Sequence, residues 1–475
     1  MGKNMHVSVI GAGISGLSLA AVLVRSGIRV TVFEKGDRLG GLAASFKRDG
    51  YIFDLGPHIF FAKKIIPKLN VFFDAGSVIV ENKNLTQGIY IQGKVFSHPF
   101  KPKEILSHIE KRKLPEAVIG AALSNLPIRN SQQTLEGWVT SKIGKPLFDY
   151  IELDTYVRKL YGIGACDISS DWGKHRLKPI ANLKFWRVAN AAVNPWAKNK
   201  KRHSYYCPGG IGEVAKQLAD YVVKNGGEIR LHSPVEEIVA NNGGIEEILV
   251  SREGILKPVK TDFVVSTIKI SDLIFRMKPK AEREVLNAAG SVRHRNLIIL
   301  YMVVDRERLF DHCLVYFSTK DTSFKRITEY KHFSPDMAPE NLTSLSVEIC
   351  TNPGDDLWEC GDHEIFDLVI IEIEKLGIFW RKEVIEYFTV RIPTVYPVYF
   401  LNYQDHLKAL LDYLGGISNL VSIGRHGLYQ HDNMATAIEN GLNAGELVAR
   451  HGTEDPETVS KVVYEERRSK YNDIS

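Results

Sequence analysis

Gly11, Gly13 and Gly16 form a G-x-G-x-x-G spacing, and Glu34 follows eighteen residues after the last of them. That spacing suits the holding of a dinucleotide. The first glycine permits a tight strand-to-helix turn, the second lets the backbone approach a pyrophosphate, and the third lets a helix pack closely on a sheet. Amides at the helix start stabilise phosphate charge, and an acid placed like Glu34 accepts hydrogen bonds from a ribose diol. Ser15 inside the turn and Lys35 beside the acid are further candidate contacts. Two more small-residue turns follow, Arg38-Leu39-Gly40-Gly41-Leu42 and Gly56-Pro57-His58. Paired glycines beside an arginine offer a close-approach backbone and a cation for a diphosphate. A flat ring can lie against Gly56 and Pro57 with His58 beside it. A surface turn and a hydrogen-bonded structural histidine are the plainer readings of these two segments.

Elements must position those turns. Residues 6–10 (HVSVI) read as a buried parallel strand, and residues 17–26 carry Leu17, Ala20, Ala21 and Val24 at helical spacing, stopped by Gly27. Residues 29–33 (RVTVF) form the second strand, ending at Glu34. The unit is βαβ. Further on, 212–223 reads as an amphipathic helix; 228–231, 235–239, 263–266 and 420–423 read as strands, and 434–450 as a helix. The fold class expected is therefore α/β: a Rossmann-like dinucleotide domain built from roughly 1–70, 203–285 and 415–452. Interleaved with it is an α+β substrate domain from 71–202 and 286–414. Its first half looks helical (135–139, 146–159), and its second alternates like an antiparallel sheet (297–304, 313–317, 343–350, 386–390). The tail, 453–475, is expected to be a peripheral helix with a frayed end.

Composition narrows the function. At about 150 residues per domain, 475 residues imply two or three domains. With 44% hydrophobic and 25% charged residues the chain is globular. The net charge of +5 is scattered, with Lys198 to Arg202 (KNKKR) the densest basic run, so nucleic acid is not the expected partner, while an anionic small molecule is compatible. No apolar run reaches the ~20 residues of a transmembrane helix and no signal peptide precedes the first strand, so a cytoplasmic location is expected. Cys166, Cys207, Cys313, Cys350 and Cys360 are dispersed, so neither a disulfide scaffold nor a metal site is expected.

The early fingerprint, the R-x-G-G element and a late G-R-x-G turn at Gly424-Arg425-His426-Gly427 together resemble the FAD-containing amine-oxidase superfamily. Within it the chain is similar to UDP-galactopyranose mutases and their protoporphyrinogen-oxidase-like relatives. The blocks that carry this likeness are residues 54–61 (DLGPHIFF), 159–162 (KLYG), 171–176 (DWGKHR), 313–317 (CLVYF), 324–328 (FKRIT) and Tyr396-Pro397. The resemblance implies FAD held by Gly11, Gly13, Ser15, Gly16, Glu34, Lys35, Arg38, Gly41, Leu42, Gly56, Pro57, His58, Val235, Gly424 and Arg425. Asn433 and Met434 would offer amides to the ring, and NADPH or NADH is a candidate reductant. It also implies a nucleotide-diphosphate sugar as substrate, with Arg176 and Arg326 on the phosphates, Tyr316 and Tyr396 assisting, and His58 beside the flavin. A tyrosine commonly follows the late turn in the mutases, and Tyr429 or His431 holds that neighbourhood. Ring isomerisation through reduced flavin is the first activity implied. Hydride removal from an amine, a porphyrinogen or an alkyl bond is the second. A flavin-binding scaffold without activity is the third. An oligomer is compatible with all three.

Overall fold

The computed structural model describes residues 5–61, 63–73, 78–83, 85–98, 104, 108–109, 112, 114–123, 133–177, 203–452 and 455–472. The basic run 198–202 lies outside them. The chain divides into two compact units, Met1–Asn82 with His203–Arg293 and Tyr403–Ser475, and Lys83–Arg202 with His294–Asn402.

The first unit is built on a five-stranded parallel sheet in the order Leu420–Ser422, Phe263–Ser266, His6–Ile10, Arg29–Phe33, Glu228–Arg230. Its central strand is buried on both faces, which is why residues 6–10 read as a continuous apolar run. The helix Ile14–Arg25 follows and is buried on nearly every side. The closing helix Met434–His451 lies against it through Gly441 and Gly445, where a Cβ would fall 2.3 Å from the Ser15 carbonyl and 2.9 Å from Val22. A second sheet, of four strands, contains the hairpins Val235–Asn241/Gly244–Arg252 and Gly244–Arg252/Ile255–Lys260. Only the first of these strands is expected from apolar patterning. The turns Asn242-Gly243 (φ 49° and 81°) and Glu253-Gly254 (φ 53° and 78°) take the doubly left-handed form that joins adjacent strands in two residues. The tail is the helix Pro456–Asn472, docked through Tyr464, which is buried and whose hydroxyl accepts from the Ser422 amide at 2.8 Å.

The second unit is organised by a seven-stranded sheet in the order Val384–Pro397, His294–Val304, Thr343–Thr351, Arg326–Glu329, Leu314–Phe317, Gln87–Ile91, Lys94–His98. The last two strands arise inside the stretch expected to be helical, and turn at Gln92-Gly93 (φ 46° and 85°). One sheet face is apolar: Ile298, Leu300, Val315, Ile327, Leu345 and Val347 pack with Ile365, Val369 and Ile373 of the helix Asp362–Lys375. The alternate positions Ser344, Ser346 and Glu348 put polar groups on the other face. Residues 146–159 are not one helix. They split into Lys145–Tyr150 and Leu153–Tyr161, because Glu152 sits at φ 51°. Among the described residues no helix is long and apolar enough to cross a membrane.

Candidate active site

In the first unit the central strand delivers Gly11 at φ +102°, where a Cβ would fall 2.3 Å from the Thr267 hydroxyl. Gly16 faces the Gly11 carbonyl so closely that a Cβ there would also lie 2.3 Å from it. Gly13 is different. A Cβ on it would meet nothing within 4 Å, beside a helix whose start has no side-chain cap. Open space next to uncapped amides is what a pyrophosphate needs. Glu34 accepts from the Ala12 amide through Oε2 and from the Gly36 amide through Oε1, both at 2.8 Å. An ionised carboxylate accepts about four hydrogen bonds, so capacity remains for ribose hydroxyls.

The R-x-G-G segment is laid on the first turn. Gly40 (φ +94°) donates its amide to the Ala12 carbonyl at 2.8 Å, and a Cβ on Gly41 (φ +58°) would sit 3.3 Å from the Gly13 Cα. Arg38 is exposed, with its guanidinium 5.4 Å over the Phe46 ring, and Lys35 is exposed beside it. His58 donates from Nε2 to the Leu42 carbonyl at 2.8 Å, tying the Gly56-Pro57-His58 turn to the same segment. The late turn arrives from the far end of the chain: a Cβ on Gly424 would lie 2.9 Å from Ser15 Oγ, and Ser15 donates to the Ala437 carbonyl at 2.8 Å. Arg425 donates to the Asp432 carbonyl at 3.2 Å, and the exposed Asn433 caps the closing helix by accepting from the Thr436 amide at 3.0 Å. Met434 is buried next to it. Val235 is buried, and its carbonyl accepts from Arg276 at 2.9 Å. Tyr429 is fully buried and donates to the Arg293 carbonyl at 2.8 Å, while His431 is half-buried.

The second unit gathers a different set. Glu348, fully buried, takes Lys325 on Oε2 and Arg326 on Oε1. Burial alone would raise its pKa, but the two cations hold it down to about 2. Lys325 also donates to the Tyr396 hydroxyl at 3.0 Å, and Arg326 lies 5.6 Å over the Tyr316 ring. Tyr156 meets Tyr316 edge-on at 6.0 Å, and burial pushes its phenol up. Two cations and one anion leave this group with a net positive charge. Lys159 crosses from the helix Leu153–Tyr161 to the carbonyls of Phe317 and Phe324 at 3.2 and 3.1 Å, and burial pulls its ammonium down to about 8. Arg176 stands exposed at the last turn of the helix Ser170–Arg176.

Sequence reading names Arg326, Tyr316 and Tyr396 but misses Lys325, Glu348 and Tyr156. A signal for Glu348 exists: an acid in step with Ser344 and Ser346, within a strand too apolar to leave it unpaired, requires a buried cation. It also misses Asp54, which is fully buried and accepts from Ser45, Tyr206 and the Ile211 amide.

Comparison with known proteins agrees with this geometry. The family description "NAD(P)-binding Rossmann-like domain" matches residues 9–75, and "Flavin containing amine oxidoreductase" matches residues 189–449, more than half of the chain. The chain is 18% identical over 399 residues to a 4,4'-diapophytoene desaturase (4,4'-diapolycopene-forming) of Methylomonas sp, covering 80% of this chain and 76% of that one. It is 49% identical over 55 residues to a 4,4'-diaponeurosporene-forming desaturase of Staphylococcus haemolyticus, covering 12% of this chain and only 11% of that relative. Among solved structures it is similar to reduced UDP-galactopyranose mutase, with TM-score 0.82, 18% identity and 97% and 99% of the two chains covered. It is also similar to a protoporphyrinogen oxidase-like protein of Exiguobacterium sp. 255-15, with TM-score 0.73, 18% identity and 94% and 99% covered. At these identities the structural likeness speaks for the fold. FAD fits the first unit: open space at Gly13, an uncapped helix start, an acid with spare acceptor capacity and paired left-handed glycines lie together there.

Proposed function

The chain belongs to the family of flavin-containing amine oxidoreductases and is an FAD enzyme, and from that premise we propose that it acts on a nucleotide-diphosphate sugar, interconverting its ring forms. The observation that supports this reading is the positively charged, phenol-rich group around Glu348. A hydrocarbon offers nothing to a buried excess of positive charge, whose desolvation is costly when no anion compensates it. A diphosphate supplies that anion.

Bound FAD supplies a nucleophilic ring nitrogen when reduced and a hydride acceptor when oxidised. The chain's own residues do the rest. Arg326 engages Glu348 through Nε and Nη2, which fixes the plane of its guanidinium and leaves Nη1 for a phosphate oxygen. Tyr396 accepts from Lys325, which holds its hydroxyl within this group. Tyr316, clamped between Arg326 and Tyr156, adds a phenol and an aromatic wall. Arg176, exposed on its helix, adds a second cation for the departing diphosphate. His58 holds the Leu42 carbonyl and so orders the turn on which the ring would rest.

A second reading is hydride removal from a hydrocarbon or an amine. It draws on the likeness to the Methylomonas desaturase across 80% of the chain. One anaerobic experiment separates the two. Protein reduced with dithionite and mixed with a panel of UDP-sugars should yield ring-isomer products with no oxygen consumed. If no isomer forms, and oxidised protein instead loses its yellow colour on mixing with an amine or a polyene, the sugar reading falls and the second stands.

A further inference from the structure

Two segments assigned to the flavin meet a third, residues 206–212, at one carboxyl group. Asp54 ends the strand Tyr51–Asp54, two residues before Gly56 (φ +84°). Its Oδ1 accepts from Ser45 Oγ at 2.6 Å and from the Ile211 amide at 3.1 Å, and its Oδ2 accepts from the Tyr206 hydroxyl at 2.6 Å. Ser45 in turn accepts from the Gly212 amide at 2.7 Å, at the start of the helix Gly212–Lys224. No slack exists at this crossing: a Cβ on Gly210 or Gly212 would fall 2.7 or 2.6 Å from Ser45, and one on Gly40 would meet Ala215 at 3.0 Å.

We propose that Asp54 is a positioning residue for the flavin, a proton-sensitive tether that holds the Gly40–Ser45 segment and the Gly56–His58 turn in register. It touches neither FAD nor substrate in this assignment. It acts through Ser45, Tyr206 and the backbone on either side. As a carboxylate it accepts from Ser45, Tyr206 and the Ile211 amide. Protonated, one oxygen becomes a donor, so a hydroxyl must turn away and the register loosens. Burial pushes the pKa up to about 6 even though three hydrogen bonds favour the charged form. The titratable groups facing Asp54 are Tyr206 and Cys207, and Glu213 in turn acts on Cys207; burial pushes the Cys207 thiol up as well, so it stays neutral through this range. The inference rests on the flavin lying at those two turns and is independent of which substrate the enzyme takes.

The test is FAD binding by the full-length apoprotein, read from quenching of flavin fluorescence between pH 5 and 8. Wild type should bind roughly tenfold more weakly at pH 5 than at pH 8, the scale of one charge-assisted hydrogen bond, with a midpoint near 6. Asp54→Asn, which is neutral at every pH and keeps an acceptor for Ser45 and Ile211, should give a flat profile. Tyr206→Phe removes a bond that favours the carboxylate, so its midpoint should move to higher pH; this variant serves even if Asp54→Asn fails to fold. An Asp54→Asn profile that matches wild type overturns the tether, as does an unmoved midpoint in Tyr206→Phe or a flat wild-type profile. Wild type that binds no FAD at any pH overturns the cofactor placement and the tether together, and is recognisably a different failure.

Discussion

Replacing Gly13 and Gly16 with alanine, one at a time, should separate holding the cofactor from holding the fold. Gly13 has φ −69° and ψ 169°, ordinary extended backbone, and a methyl there meets nothing within 4 Å. Two small effects oppose each other in the protein without cofactor. Alanine lowers the entropy of the unfolded chain by about 0.4–1 kcal/mol, and it is a poorer first residue for a helix by a similar amount. The apoprotein should therefore melt within a degree or two of wild type, by the rough conversion of stability to melting temperature. The same methyl stands in the space assigned to the pyrophosphate, so FAD affinity should fall by roughly a hundredfold, about 3 kcal/mol. Gly16→Ala should do the reverse first. Its Cβ would lie 2.3 Å from a backbone carbonyl, which cannot swing aside, so the helix must shift by about 1–3 kcal/mol of overpacking before any cofactor is considered. Differential scanning fluorimetry on apoprotein and fluorescence titration with FAD read the two effects separately. A Gly13→Ala protein that retains full yellow colour through purification would refute the placement, and so would a Gly16→Ala apoprotein as stable as wild type.

Other consequences are open to direct measurement. Glu348→Gln leaves Lys325 and Arg326 buried without their anion and should cost about 3–5 kcal/mol of stability in urea, whereas Lys325→Met, which keeps one cation opposite Glu348, should cost less. Because its pKa is held near 2 when folded, Glu348 contributes stability at pH values above the ordinary glutamate range, and this is lost as pH falls through about 2; the Gln variant should lack this part of the acid transition. Asp54 has the opposite sign. Its pKa is raised to about 6, so the native state binds the extra proton and is favoured below the ordinary aspartate range, and that advantage, on the order of 3 kcal/mol, is lost as pH rises to about 6. Asp54→Asn should flatten the melting profile between pH 4 and 6. Arg326→Ala should leave FAD binding intact while weakening a UDP-sugar by roughly 30-fold or more in equilibrium titration; equal affinity would remove Arg326 from the site.

What the sequence shows is what local chemistry decides. The opening strand, turn and helix are legible because apolar runs, glycine spacing and a terminal acid all occur within thirty residues. The closing turn is legible for the same reason. The strands Gln87–Ile91 and Lys94–His98 are not, since each is short and finds its partners in a sheet whose other strands come from residues 294–397. Asn242-Gly243 and Glu253-Gly254 do mark hairpins, and turn chemistry recovers what apolar periodicity alone passes over. The pair Lys325–Glu348 escapes because its members stand 23 residues apart and meet only through sheet register, Arg326 opposite Glu348. Tyr429 shows the converse. Position along the chain makes it a candidate ligand contact, yet its phenol is engaged by the Arg293 carbonyl inside the first unit.

The meeting of Gly424 with Ser15 has a consequence for biogenesis. A nascent chain displays the phosphate loop almost at once, yet it lacks the opposing wall until more than four hundred further residues have left the ribosome. Stable flavin loading should therefore wait until the Gly424 turn has emerged. Chains cut short before Gly424 should be colourless and protease-sensitive, and pulse-labelled chains should acquire flavin-dependent protection only once that turn is made.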